Sequence, residues 1–411
     1  MVAGSNPVSR SILLLHPSPP SDLRVRPVAA RLAAIGFALL GVAWVVPLWL
    51  VRFPPMLDYP QQLAAAAILR WYGDPAWGFR QAYALSLARP HGGFEMLAAG
   101  LAWLIPARLM PLETAGKLVL SLSLLAVVPA VAALCRRTGR PGWYALLALA
   151  VTYNHAFYWG FADNLIGYPL VLGGAALADR LFDRPFGLSS WLLLAGWTVL
   201  FYPVHLELLL VFVGAVGWLA LVRRPGWRRL LLWLSPLAPG LALGAGVLTW
   251  AHIHAAEVMS GYQQRLASSP TIVITTAEKL HRVPQLLFGA DRAGRYLLLA
   301  ALLLAILLAL TVGRRSAPRA EAGGALVRTR FASLAAWVAA LYFFLPVFSR
   351  GYLMSERLLP LAFMLLVPAL PSASAPRRRL AAVLTGLLLA LQLETTAVAF
   401  RRFAAETAGL G

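Results

Sequence analysis

Asp58 stands in Phe53-Pro54-Pro55-Met56-Leu57-Asp58-Tyr59-Pro60, directly behind the first long apolar run of the chain. A carboxylate at such a lip is a candidate proton acceptor. Three further groupings carry polar residues at the ends of apolar runs, where a polar group at the hydrocarbon boundary needs a partner or a wet cavity. The first, Tyr153 to Asn164, holds Asn154, His155, Asp163 and Asn164 among aromatic residues that also suit an interfacial belt. The second is Tyr202-Pro203-Val204-His205-Leu206-Glu207. Proline and glutamate are ordinary at a helix start, and on a regular helix His205 and Glu207 diverge by about 200°. They would therefore not hold one metal unless this end is unwound. The third, Ser349 to Arg357, carries Arg350, Glu356 and Arg357. The arginine fork matches phosphate geometry, while Arg357 has two other uses: pairing with Glu356 or reaching towards lipid head groups.

The elements that position these residues follow from composition. The chain has 411 residues, 60% hydrophobic and 13% charged, with a mean hydropathy of +0.72. That excludes an ordinary soluble globular protein. Apolar runs of the length needed to cross about 30 Å of hydrocarbon fall at 33–51, 115–135, 142–158, 163–180, 188–204, 206–222, 229–250, 295–313, 331–348, 357–371 and 380–399. The expected fold is all-α, a polytopic transmembrane bundle of eleven spans.

Residues 92–106 are apolar but short for a crossing. They are read as an interfacial or re-entrant helix within a long first outer loop, 52–114, with a twelfth span as the rival. The first reading keeps the basic clusters on one side: Arg136, Arg137 and Arg140; Arg180 and Arg184; Arg223 to Arg229; Arg314 to Arg330; Arg377 to Arg379. By the positive-inside rule that side, shared with the N-terminus, is cytoplasmic. The formal charge of +20 thus reports orientation, and no nucleic-acid partner is expected. Residues 1–31 are expected as a flexible cytoplasmic tail, 32–400 as one transmembrane domain with outer loops 52–114 and 251–293, and 401–411 as a short tail.

With this topology six of the seven histidines, His91, His155, His205, His252, His254 and His281, face outward with most of the acids. Longer outer loops would hold more polar residues of every kind, which is the plain alternative. Cys135 is the only cysteine, which excludes an intrachain disulfide. No phosphate-binding glycine loop is present. His252-x-His254 is a weak metal pattern and reads as solvated.

Together these features resemble the GT-C superfamily of integral-membrane glycosyltransferases. Asp58-Tyr59-Pro60-Gln61-Gln62-Leu63 is similar to its Asp-x-Pro-x-His-Leu segment, with Gln62 in place of histidine. Tyr202 to Leu206 is similar to Tyr-Phe-x-His-Leu, and Glu356-Arg357-Leu358 to Glu-Arg-Phe. The resemblance implies a polyprenyl-phosphate sugar donor, a glycan, lipid or protein acceptor, and Asp58 as base or metal ligand. A divalent metal stays open, since no second acid adjoins Asp58. Arg350 would stabilise the leaving phosphate with Arg357 or Lys279 assisting; His155, Asn164, His205, Glu207 and Glu356 complete the expected substrate contacts. Residues 262–265 in the 251–293 loop would cover the site. The expected location is a bacterial inner membrane, the arginine-dominated basic set pointing to a GC-rich genome. A transporter or lipid flippase, to which Pro129 and Gly173-Gly174 within spans would belong, and a non-catalytic membrane protein are the other readings.

Overall fold

The computed structural model describes residues 25–85, 92–105, 110–254, 270–289, 294–311, 322–349, 352–353 and 355–408. Helix α1 (Val25–Leu50) begins within the stretch expected as a tail. The chain divides into two units, Met1–Trp44 and Val45–Gly411. The described part of the first is the N-terminal portion of α1, with Ile35, Leu39 and Val42 exposed. Everything else belongs to the second.

In the second unit the expected first outer loop is itself helical: α2 (Tyr59–Trp71), α3 (Phe79–Ala82) and α4 (Gly93–Leu104). After α5 (Leu112–Arg137) comes a ten-residue 3-10 helix, Gly142–Val151, and the short α6 (His155–Trp159). The single run expected over 142–158 is therefore two elements, and the tighter 3-10 winding carries ten residues over about 20 Å. Then follow α7 (Ala162–Phe182), α8 (Leu188–Val199), α9 (Phe201–Val204), α10 (Leu206–Leu221), α11 (Trp227–Leu234) and α12 (Ala238–Ile253). The rest is α13 (Thr276–Phe288), α14 (Arg295–Thr311), α15 (Ala322–Phe344), α16 (Leu358–Leu366) and α17 (Ala375–Thr407). Between α15 and α16 sits a minimal antiparallel ladder, β1 (Phe348–Ser349) with β2 (Tyr352–Leu353).

Each of the eleven expected runs overlaps helix among the described residues. Among the described residues five helical stretches are long and apolar enough to cross a membrane: Leu112–Arg137, Ala162–Phe182, Trp227–Trp250, Leu326–Phe344 and Ala375–Thr407. Large apolar side chains such as Leu122, Leu210, Leu304 and Val383 are exposed, while Asp179 and Asn164 are wholly buried. That distribution fits a lipid surround rather than water. At 12 residues, α4 covers about 18 Å, short of the hydrocarbon thickness. The final helix continues through Thr407, so residues 401–407 are helix rather than tail; Arg401 Nε still donates to Ala397 O at 3.3 Å.

Of the two features expected to suit a transporter, Gly173-Gly174 has a packing explanation. Helix α5 runs unbroken past Pro129 and α7 past Gly173 and Gly174. Gly174 lies where Phe212 and Trp197 pack directly onto the α7 backbone, leaving no room for a Cβ, and the Trp197 indole donates to Leu170 O at 3.0 Å.

The helices are registered at one end by ion pairs. Asp179 and Asp183, at the C-terminal end of α7, meet Arg137 from α5, Arg223 behind α10 and Arg330 from α15. Arg137 Nε donates to Asp179 Oδ2 at 2.8 Å, and the buried Arg223 side chain also bonds Leu219 O at 2.6 Å. The arginines of three separate basic clusters thus share one end of the bundle. The other end of α7, about 24 Å away for 16 residues, carries Asp163 and Asn164.

Candidate active site

Beyond α1 the chain is held irregular by Pro54 and Pro55, and it docks on α6 by main-chain bonds: Leu57 N to Tyr158 O at 2.9 Å, Asp58 N to Trp159 O at 3.2 Å. Gly160 makes that docking possible. Its φ is +88°, and a Cβ there would lie 2.5 Å from Asp58 N and 3.0 Å from Asp58 Cα. Both the left-handed backbone and the close approach demand glycine. Gln62, at the place where histidine is expected, donates Nε2 to Gly160 O at 2.8 Å and ties α2 to the same turn.

Asp58 stands at the N-cap position of α2 with no side-chain capping bond, so its carboxylate is not consumed by the helix. It is half-buried. Burial raises its pKa above the ordinary 3.8, and the positive charge of Arg357 offsets part of that rise.

Arg357 organises the first half of the site. It is buried, its guanidinium lies 3.8 Å over the Phe161 ring, and its Nη1 is 2.8 Å from His205 Nε2 and 3.7 Å from Glu207 Oε2. Since the guanidinium can only donate, His205 Nε2 is the acceptor and carries no proton. Tyr168 fixes the backbone from α7, its hydroxyl donating to Arg357 O at 2.9 Å. Of the two cases open for His205 and Glu207, a regular helix and an unwound end, the structure has the second: His205 is extended, φ −168° and ψ 120°, in the tight turn between α9 and α10. The unwound residue lets both side chains reach one guanidinium.

Glu356 faces elsewhere. Its buried carboxylate meets Arg282 Nη1 from α13 at 2.5 Å and His155 Nε2 from α6 at 3.1 Å. The expected alternative of an Arg357–Glu356 pair is therefore replaced by two separate pairs. Arg282 was not singled out by sequence, being one basic residue in a loop; its place on α13 at i+3 from Lys279 was the available signal.

Lys279 does not present a free ammonium. Its Nζ donates to Tyr342 O at 2.9 Å, Phe343 O at 3.0 Å and Leu345 O, and Tyr342 returns its hydroxyl to Lys279 O at 2.7 Å. These carbonyls are the unsatisfied ones at the C-terminal end of α15, where a cation is favoured. Phosphate assistance from Lys279 is replaced by this capping role.

Asp163 accepts from Phe94 N at 2.7 Å and so caps α4, which is also fastened by Gly92 N to Pro203 O at 3.0 Å. Next to it, Asn164 is fully buried, with no partner for either amide atom. His254 is turned back to Trp250 O at 2.9 Å, at the end of α12. Arg350, His91 and residues 262–265 lie outside the described residues, as does the side chain of His252.

The structure thus joins Asp58, His205, Glu207 and Arg357 into one electrostatic group, with Glu356, His155 and Arg282 adjoining through the 356–357 peptide. Among the described residues no group of three or more His, Cys, Asp or Glu side chains is placed to hold a metal ion. The chain matches no family model, no curated protein and no solved structure.

Proposed function

We propose that the protein is a membrane glycosyltransferase that moves a sugar from a polyprenyl-phosphate donor to a hydroxyl of a glycan, lipid or protein acceptor. In this reading eleven helices cross a bacterial inner membrane, the Asp179 end is cytoplasmic and the Asp58 end periplasmic. The observation that carries it is the placement of Asp58: a carboxylate left out of helix capping, clamped against Gly160, and within the field of the buried Arg357.

The acceptor oxygen attacks the anomeric carbon as the bond from that carbon to the phosphate oxygen breaks. The acceptor proton passes to Asp58, and the electron pair leaves with the lipid phosphate. A donor already activated as a phosphate ester requires no nucleotide at this face. Lys279 is occupied by carbonyls and Arg357 is balanced by Glu207, so charge on the leaving phosphate falls chiefly to Arg350.

Native mass spectrometry of the detergent-purified protein tests the donor class. A polyprenyl phosphate or its glycosylated form should be retained by wild type and lost from Arg350→Ala. Folded wild type that binds neither lipid after both are added contradicts the proposal.

A further inference from the structure

The chain turns from α16 into α17 beside the start of the Gly142–Val151 3-10 helix, and two side chains fasten that turn. The Tyr144 hydroxyl donates to Pro371 O at 3.0 Å, and Arg140 Nη1 donates to Ser372 Oγ. Arg140 is itself held against the end of α5, its N donating to Cys135 O at 2.8 Å. It stands three residues beyond Arg137, the partner of Asp179, so the junction lies at the Asp179 end of the bundle. Between the 3-10 helix and α17 is an open cavity of about 430 Å³, lined by Pro141, Trp143, Ala375, Arg378, Arg379 and Ala382. That volume falls in the range of small-ligand sites.

The lining is of two kinds. Arg378 and Arg379 bring two guanidinium groups, and among the described residues neither is paired with an acid. The first turn of α17 holds no acid, and the first one along that helix, Glu394, is paired with Arg295. Asp179 and Asp183 are held by Arg137, Arg223 and Arg330. The cavity therefore carries positive charge that an anion would balance, and the guanidinium fork matches the oxygens of a phosphate. The rest of the lining is apolar and leads on along α17. Ala375, Arg379, Ala382 and Gly386 follow one another at helical spacing, and a Cβ at Gly386 would meet nothing. Beside that face Leu380, Val383 and Leu387 are exposed. Trp143 adds the ring type favoured at a membrane–water boundary. A free phosphate ion would use the arginines and leave the apolar track bare. A molecule with a phosphate at one end and hydrocarbon behind it uses both.

We propose that this cavity holds the head group of an anionic membrane phospholipid, with its phosphate on Arg378 and Arg379 and one acyl chain along Ala382 and Gly386. A basic pocket between helices at the membrane boundary is suited to such head groups, and here the lipid would tie α17 to the 3-10 helix. The proposal is independent of the glycosyl-transfer reading: it concerns the other end of the bundle and a lipid that is held, not consumed.

The test is native mass spectrometry of the whole protein in detergent, titrated with phosphatidylglycerol or with phosphatidylcholine of the same acyl chains, with the melting midpoint of each sample measured alongside. Wild type should bind phosphatidylglycerol at least about tenfold more tightly, the scale expected of two arginines facing one anionic lipid. The double variant Arg378→Gln, Arg379→Gln should lose that preference; both side chains are exposed, so it should melt as wild type does. Ala382→Trp, which fills the cavity and keeps every charge, should lose the preference too. Arg401→Gln with Arg402→Gln removes the same charge near the other end of α17 and should keep it. Equal binding of the two lipids by folded wild type overturns the proposal, as does a preference retained in the Arg378, Arg379 double variant. An equal loss in the Arg401, Arg402 control also overturns it, by showing a general attraction between charges. Displacement of the bound phosphatidylglycerol by inorganic phosphate would show an anion site without a lipid track and would overturn the lipid assignment.

Discussion

The two ends of α7 use the same kinds of side chain for opposite purposes. At the Asp179 end every carboxylate oxygen of Asp179 and Asp183 has an arginine partner, drawn from three other stretches of chain. Such a network fixes the register of α5, α7, α10 and α15, with each carboxylate oxygen held by arginine. At the Asp58 end the acids are only partly engaged: Asp58 makes no capping bond, Glu207 Oε1 is unpartnered, and Asn164 is buried without a hydrogen bond. Burial and charge alone do not separate a structural cluster from a working one. The difference lies in whether the carboxylates themselves are fully partnered.

That contrast is most sharply tested where the closed cluster is opened. Asp179→Ala should leave Arg137, Arg223 and Arg330 to share the more exposed Asp183 alone, with the buried carboxylate gone. Removing one partner of a buried pair costs about 3–5 kcal/mol, so the variant should be lost from the folded fraction on size-exclusion chromatography or melt far below wild type. An Asp179→Ala protein with unchanged melting would mean that the network is not a clamp.

A smaller stability effect with a large functional one is expected at Gly160. In Gly160→Ala the left-handed backbone and the collision with Asp58 cost about 1–3 kcal/mol, and the displaced carboxylate should lower turnover by at least about tenfold. Circular dichroism and turnover on one preparation separate the two. Normal turnover in this variant would break the link between the α6 turn and Asp58.

The smallest effect is a shift in pH dependence. Burial raises the Asp58 pKa, so the folded state holds this proton more tightly than the unfolded chain. Its contribution to stability is therefore present at low pH and is lost as pH rises through the raised value. As a base Asp58 must be ionised, so the acid limb of the rate profile should lie above the ordinary 3.8. Arg357→Gln removes the charge that holds the value down, and the limb should move further up. A limb that stays in place would separate Arg357 from Asp58.

The helices were legible in the sequence because hydrophobic length is a strong signal, and the shared end of Arg137, Arg223 and Arg330 accords with the expected alternation of the helices between them. Residues 92–106 read as marginal for a crossing, and the helix α4 that they contain has 12 residues. Long-range partners were not legible. That Asp163 caps a helix 69 positions earlier, or that Lys279 caps α15, depends on how the helices dock and leaves no periodic trace. His205 falls in the gap between the runs expected at 188–204 and 206–222, and the structure makes that gap a one-residue extended turn. Glu356 and Arg357, adjacent in sequence, point to different partners because the turn before α16 presents them on different sides.

The most direct test of the central claim is turnover by Asp58→Asn in proteoliposomes supplied with polyprenyl-phosphate sugar and acceptor, with the melting midpoint measured on the same sample. Loss of transfer by at least about 10²-fold at an unchanged midpoint is the predicted result. Full turnover by the folded variant would contradict the assignment of Asp58 as the base.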